Sequence, residues 1–288
     1  MATGEAVRAD ASTLYVVATP LGNLRDVTLR ALDILASVDA IAAEDTRVTA
    51  KLLARHGIAS RVLSLHEHNE SRRAVEIVKL LGGGNSVALV SDAGTPAVSD
   101  PGAKLVRAAR EAGFPVVPVP GPSAVVAALS ASGVEATRWL FCGFLPASAS
   151  ARRADLERLR DAAQGLVFYE TPHRIAATLE ALAATFDAQR EIVIARELTK
   201  RFESIHRCRL GEAPSWLAAD ADRARGEFVL IVDAPVATTR SGSEAQHDPV
   251  LSVLLTELPL AQAVRLAVRL TGAPRKQLYA RALALAGK

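Results

Sequence analysis

Val87-Ala-Leu-Val90 is a short apolar run that reads as a buried strand, and the adjoining Ser91-Asp-Ala-Gly-Thr-Pro96 continues neither a strand nor a helix. A strand that ends in a carboxylate, a glycine and a proline opens into a loop at its carboxyl end. In open α/β sheets that end is where ligands bind. An ordinary βα turn uses the same residues, so the stretch alone does not separate a site from a connection. Asp100-Pro-Gly102 is expected to start the next helix, with Asp100 as N-cap and Pro101 in the first turn.

The pattern recurs along the chain. Strands are expected at 14–18, 38–43, 62–65 and 116–119, with helices at 29–35, 49–56, 71–81 and 103–112 between them. A second series comes after these, with strands at 140–144, 166–169, 192–195 and 228–232 and helices at 123–130 and 152–163, and another ending near Thr185. Alternation of this kind predicts a largely parallel α/β sheet. Two more expected strand ends carry Gly and Pro, Thr19-Pro-Leu-Gly-Asn23 and Pro120-Gly-Pro-Ser-Ala124. None of these loops is a GxGxxG or a GxxxxGK[ST], so neither a dinucleotide fingerprint nor a phosphate loop is present.

Residues 1–13 are expected to be a disordered N-terminus, 14–122 one α/β domain, 123–235 a second and 236–249 a linker containing Ser241-Gly-Ser243. Residues 250–288 read as a helical appendix of three short helices, 250–258, 260–270 and 275–285, with a helix-turn-helix character. The net charge of +3 conceals an asymmetry: in this appendix Arg265, Arg269, Arg275, Lys276, Arg281 and Lys288 face Glu257 alone. A basic tail of this kind suits an anionic polymer, although a solvated helix face has the same composition.

Other features narrow the class. Met1 to Thr13 has no apolar core of a signal peptide. Phe114 to Val134 is uncharged, but Pro115, Pro118, Pro120 and Pro122 break it, which argues against a membrane span. Cys142 and Cys208 lack zinc or CxxC spacing and fit a reduced, cytoplasmic protein. His66-Glu-His68 has no further ligand near it in sequence and reads as a polar loop, so no metal is expected.

Seven motifs occur in order: Thr19-Pro-Leu-Gly-Asn23, Glu44-Asp-Thr-Arg47, His66-Glu-His-Asn-Glu70, Ser91-Asp-Ala-Gly-Thr-Pro96, Pro120-Gly-Pro-Ser-Ala124, Tyr169-Glu-Thr-Pro-His-Arg174 and Arg196-Glu-Leu-Thr-Lys200. Together they resemble the small-subunit ribosomal RNA methyltransferases within the tetrapyrrole-methylase-like class of S-adenosylmethionine-dependent enzymes. The resemblance spans Leu14 to Val232 and extends to Thr271-Gly272 and Leu278-Tyr279 in the tail. It implies two α/β domains with S-adenosylmethionine in the cleft between them, a homodimer, and 2′-O-methylation of one cytidine ribose in 16S rRNA, within the small ribosomal subunit.

By that resemblance Pro20, Leu21, Gly22, Asp92, Ala93, Gly94, Thr95, Ser123 and Ala124 match cofactor-lining positions, with Tyr169, Leu198 and the Glu227-Phe228 region as further candidates. Phe168 and Leu198 are also what a plain core would contain. Transfer to a hydroxyl is an in-line displacement that positioning accelerates and a general base can assist. Glu44, Asp45, Glu197 and Lys200 are the expected catalytic groups. Lys200 would need a depressed pKa, which Arg196 nearby or burial can produce. The same clusters can equally be salt bridges. Arg47, Arg174, Arg196, Arg201, Arg275 and Lys276 are expected to contact RNA phosphates. Two rivals share much of this pattern. A tetrapyrrole C-methylase would have no need of the basic tail, and a non-catalytic RNA-binding assembly factor would have no need of the cofactor loops.

Overall fold

A computed structural model describes residues 6–135, 137–235 and 247–286, which fall into two compact units, one up to Pro235 and one beyond it. In the first unit the apolar runs form two five-stranded sheets. The first sheet contains β1 (Leu14–Val17), β2 (Ala40–Ala43), β3 (Val62–Ser64), β4 (Val87–Val90) and β5 (Val116–Val119), in the order β3-β2-β4-β1-β5. Every pairing in it is parallel. The cause is the crossover helices: α1 (Leu29–Ser37), α2 (Thr46–Arg55), α3 (Glu70–Gly82) and α4 (Ala103–Glu111) return the chain to the same edge each time. Strands β2 and β4 are buried at every position, as a sheet covered on both faces requires.

Helix α5 (Ala124–Ser132) leads to the second sheet, which contains β6 (Trp139–Phe144), β7 (Gly165–Glu170), β8 (Glu191–Arg196), β9 (Ser204–Arg209) and β10 (Phe228–Val232). Its order is β6-β7-β10-β8-β9, and here the expectation of a largely parallel sheet fails. Only β6 and β7 are parallel; β10 runs antiparallel to both β7 and β8, and β8 to β9. Helices α6 (Ala149–Leu159) and α7 (Ile175–Thr185) separate β6, β7 and β8, but no crossover helix separates β8 from β9, so the chain returns as a hairpin. Strand β9, and the short α8 (Ala213–Ala218) after it, have no counterpart in the sequence pattern. The strand alternates half-buried and exposed residues and carries His206, Arg207 and Arg209, so it has no apolar run to detect.

Three other expectations need correction. Asp100 does not cap α4. The cap position is Gly102, at φ 132°, where an added Cβ would lie 2.7 Å from Leu89 Cδ2. The helix start is instead satisfied from α3: the buried Glu70 carboxylate accepts the N–H groups of Gly102 (2.9 Å) and Lys104 (2.8 Å). The N-terminus is not disordered throughout, because the Val7 N–H donates to Asp33 and the Ala9 N–H to Ser37. The expected linker is too long at its end, since a helix already begins at Asp248; its residues 236–246 lie outside those described.

The second unit is a three-helix cluster, α9 (Asp248–Glu257), α10 (Leu260–Thr271) and α11 (Arg275–Leu285), packed on Leu251, Val264, Ala267, Leu278 and Ala282. The Arg281 guanidinium donates to Asp248 at 2.7 Å, tying the last helix to the first. The Gly272 turn between α10 and α11 sits at φ 69°, a conformation that favours glycine.

Candidate active site

The three Gly/Pro loops at strand ends of the first sheet are stitched together. Thr19 and Gly94 exchange both backbone hydrogen bonds at 2.9 Å. The Thr19 hydroxyl donates to the Ser91 carbonyl (3.0 Å) and the Thr95 hydroxyl to the Pro122 carbonyl (3.1 Å). Gly94 has φ +80°, and a Cβ there would press on Leu21 Cδ2 at 3.3 Å. Strand order explains the convergence: β1 lies between β4 and β5, so the loops after these strands meet.

These loops form one wall of a cavity of about 190 Å³ that opens to solvent. Leu21, Ala93, Gly94, Thr95, Ser123 and Ala124 line it from this side, and Tyr169 and Leu198 from the second sheet. Eight of the residues expected to hold a cofactor are thus brought together. Pro20, Gly22 and Asp92 are not on the lining. Phe168 is fully buried in the core of the second sheet, while Tyr169 beside it packs edge-on against Phe141 at 5.0 Å. The lining also includes residues that were not expected at the cofactor: Val98, Phe144 and Val229, Asp100, which was expected only to cap a helix, and Glu170 and Thr171 of the Tyr169–Arg174 motif. Glu227, a weaker expectation, lines it too. Among the described residues, none on the lining is basic.

The four expected catalytic groups divide into two clusters with different fates. Glu44 and Asp45 come directly after β2, next to the loop after β4. The Asp92 N–H donates to Glu44 Oε2 (3.3 Å) and the Asp45 N–H to Asp92 Oδ1 (3.0 Å). Burial raises the Glu44 pKa, and the neighbouring charges of Asp92 and Asp45 add to it. Burial likewise raises Asp92, and pushes Asp100 up to about 6 with help from the Glu44 charge. Asp45 goes the other way. The Arg47 side chain beside it holds it at about 2, and Arg47 donates to it at 2.6 Å from a side chain that is 86% exposed.

Glu197 and Lys200 form a clamp. Lys200 Nζ donates to Glu197 Oε1 (2.9 Å) and Glu227 Oε2 (2.8 Å). The Glu197 carboxylate also accepts the Glu227 N–H at 2.9 Å. The Lys200 stem lies over Gly22, where an added Cβ would be 2.4 Å from Lys200 Cγ, and the Asn23 N–H donates to the Thr199 hydroxyl. Burial works against the Lys200 charge, but the two carboxylates win and the pKa is raised. In this arrangement Lys200 is a cation that joins the loops, and the depressed pKa that a role as base would need does not occur. Burial works against the Glu197 charge as well, yet Lys200 and the Glu227 N–H leave its pKa lowered.

Two expected RNA contacts are also committed internally. Arg174 pairs with the fully buried Glu170 carboxylate at 3.3 Å and donates to the Leu145 carbonyl. Arg196 donates to the Asp222 carbonyl (2.5 Å) and the Ser204 hydroxyl (3.2 Å). Arg47, Arg201, Arg275 and Lys276 are exposed. The His66 ring is tied to Asn69 at 3.0 Å, and among the described residues no group of His, Cys, Asp and Glu is placed to hold a metal ion. No helix among them is long and apolar enough to cross a membrane.

Residues 13–214 match the family model of Tetrapyrrole (Corrin/Porphyrin) Methylases, and residues 241–286 match that of the RsmI C-terminal HTH domain. Among solved structures, the uroporphyrin-III-C-methyltransferase of Thermus thermophilus shares the fold with a TM-score of 0.56 at 20% identity, covering 77% of this chain and 94% of that one. The methyltransferase CobJ does so with a TM-score of 0.56 at 22% identity, covering 80% and 96%. Curated relatives are much more similar. The ribosomal RNA small subunit methyltransferase I of Neisseria meningitidis serogroup B is 49% identical over 96% of this chain and 94% of its own length. The protein of that name from Pseudomonas aeruginosa is 46% identical over 96% and 99%. With the tetrapyrrole-methylase family matched over residues 13–214, the C-terminal helical domain over 241–286, and relatives 46% and 49% identical along 96% of the chain, this protein belongs to the ribosomal RNA small subunit methyltransferase I family and is a methyltransferase.

Proposed function

We propose that this chain uses S-adenosylmethionine to methylate the ribose 2′-hydroxyl of a cytidine in 16S rRNA, that it acts in the cytoplasm on the small ribosomal subunit, and that it works as a homodimer. The observation that carries this reading is similarity through both units: relatives named for the small ribosomal RNA span the methylase part and the basic helical tail alike. A C-methylase acting on a tetrapyrrole would use the first part alone.

The cavity fits the methyl donor. Leu21, Val98, Phe144 and Val229 offer apolar surface for an adenine, and the Thr95 and Ser123 region brings backbone and hydroxyl groups to the same wall. A lining without basic side chains suits a cationic ligand. Bound there, the cofactor supplies an electrophilic methyl carbon. The chain's own part is to hold the ribose oxygen in line with that carbon and to receive its proton. Of the four expected catalytic groups, Glu44 is the one suited to the proton. Asp45 is held ionised by Arg47 and is a poor base, Lys200 is already protonated, and Glu197 is occupied by Lys200 and Glu227. Arg47, Arg201, Arg275 and Lys276 remain for phosphate contacts, which position RNA without reading its sequence.

The test is methyl transfer from labelled S-adenosylmethionine to unmodified small subunits, with naked 16S rRNA in parallel and ribose methylation mapped afterwards. One labelled cytidine ribose in the subunit is expected. Label on neither RNA, with the donor bound, would refute the acceptor assignment and return a small-molecule acceptor to contention. Glu44→Gln is expected to lower turnover by about 100-fold at unchanged donor affinity.

A further inference from the structure

The cavity lining carries three carboxylates, those of Asp100, Glu170 and Glu227, and they differ in what they face. Glu170 is buried and satisfied: Arg174 pairs with it, the Thr178 hydroxyl donates to one oxygen at 2.7 Å, and the Thr171 N–H donates to the other at 2.8 Å. Glu227 receives Lys200. Asp100 has no ion-pair partner among the described residues. Its neighbours are the Ser91 hydroxyl, which hydrogen-bonds to it, and the like charges of Glu44 and Asp92; its charge is felt at Tyr169 across the cavity. A half-buried carboxylate with two acidic neighbours on a wall that lacks basic groups is a place where a positive charge is missing.

We infer that Asp100 is the counter-charge by which the cavity distinguishes the sulfonium methyl donor from its uncharged thioether product. The inference rests on reading the cavity as the methyl-donor site. The two ligands share the adenosine, the carboxylate and the ammonium, and differ by one methyl group and one positive charge on sulfur. Backbone groups and apolar walls hold the two nearly equally, so discrimination by charge falls to the ionisable groups. Glu170 is paired with Arg174, Glu227 shares the single cation of Lys200 with Glu197, and Glu44 and Asp92 are not on the lining, so Asp100 is the lining carboxylate with no cation beside it among the described residues. When the methyl group leaves, the electron pair of the broken C–S bond stays on sulfur and cancels the charge. Asp100 then loses its partner, which favours release of the product.

Binding of S-adenosylmethionine and of S-adenosylhomocysteine to the full chain, each by calorimetry without RNA, tests this. Asp100→Asn is expected to weaken the donor by about tenfold while the product changes by less than about threefold. Equal weakening of both would overturn the inference, because Asp100 would then serve a group the ligands share. No change in either would overturn it too. If the unaltered protein binds neither ligand, the reading of the cavity falls and the inference with it. The unaltered protein offers a second readout that does not need the variant to fold. Its preference for donor over product is expected to shrink as the pH falls through about 6, where Asp100 takes up a proton. A preference that stays flat as the pH falls from about 7.5 to about 5 overturns the inference.

Discussion

The two sheets of the first unit both border the cavity, but they do so by different means. The first sheet is parallel, covered on both faces, and contributes loops whose shape depends on glycine, proline and backbone hydrogen bonds. The second is mostly antiparallel and contributes aromatic and aliphatic side chains together with carboxylates held in ion pairs, Glu170 with Arg174 and Glu227 with Lys200. A parallel sheet delivers several strand ends to one edge, so its ligand wall can be made of backbone. A hairpin-rich sheet delivers alternating ends, so its contribution depends on particular side chains and on the partners that orient them.

Substitutions separate the two mechanisms. The largest effect is expected from Gly102→Ala at the start of α4, packed on the first sheet, where an added Cβ meets Leu89 at 2.7 Å and φ is 132°. A loss of about 2–4 kcal/mol in urea-melting stability is expected. A smaller loss would mean that the α4 start can shift freely, and the contrast between rigid backbone and tunable side chains would weaken. Next comes Lys200→Met in the second sheet, which leaves Glu197 without its cation. It is expected to cost about 1–2 kcal/mol and to weaken donor binding as well, with Lys200→Arg restoring part of both. Unchanged donor binding would show that the clamp does not shape the cavity.

Asp100→Asn is expected to act in the opposite direction on stability. Its folded pKa is raised from 3.8 to about 6, so the folded chain holds the proton more tightly than the unfolded one. Its stabilising contribution is complete below pH 3.8 and lost as the pH rises through about 6. At pH 7 the variant is therefore expected to be more stable by about 1 kcal/mol, after allowance for partial solvent screening. The gain should vanish near pH 4. A variant that is less stable at pH 7 would mean that the Ser91 hydrogen bond outweighs the crowded charge.

The helical tail gives the smallest stability effects. Arg275→Ala with Lys276→Ala is expected to leave melting unchanged and to flatten the salt dependence of RNA binding by about 1.4 in the logarithmic slope, if each contacts one phosphate of a single strand. Arg281→Ala should do the reverse, loosening the tail through Asp248 with little change in slope. Arg47→Ala, with its side chain 86% exposed, should leave stability untouched.

Local pattern was enough for some elements and silent on others. Strand β10 lies where its apolar run predicts, at Phe228–Val232, and α11 spans the expected Arg275–Leu285. Both depend on hydrophobic period and on nearby turn residues, which are written in consecutive positions. Strand β9 escaped because a half-exposed strand with His206 and Arg207 has no apolar run. Arg174 and Arg196 looked like phosphate ligands because a sequence shows a charge but not what the fold turns toward it: Glu170 is only four residues from Arg174, but the Leu145 and Asp222 carbonyls lie far away along the chain.

The sequence by itself determined the alternation of strands and helices, the loops that must leave regular structure, the basic tail and the family. These depend on composition and spacing over a few residues, where steric and hydrophobic preferences act. The tertiary structure alone decided that Glu70 starts α4, that Lys200 is a clamped cation, and that Asp100 faces the cavity without a counter-ion among the described residues. The reason is physical. Whether a carboxylate caps a helix, neutralises a lysine or stands exposed to a ligand depends on its burial and on which distant charges the fold brings within a few ångströms, and neither is a property of neighbouring residues.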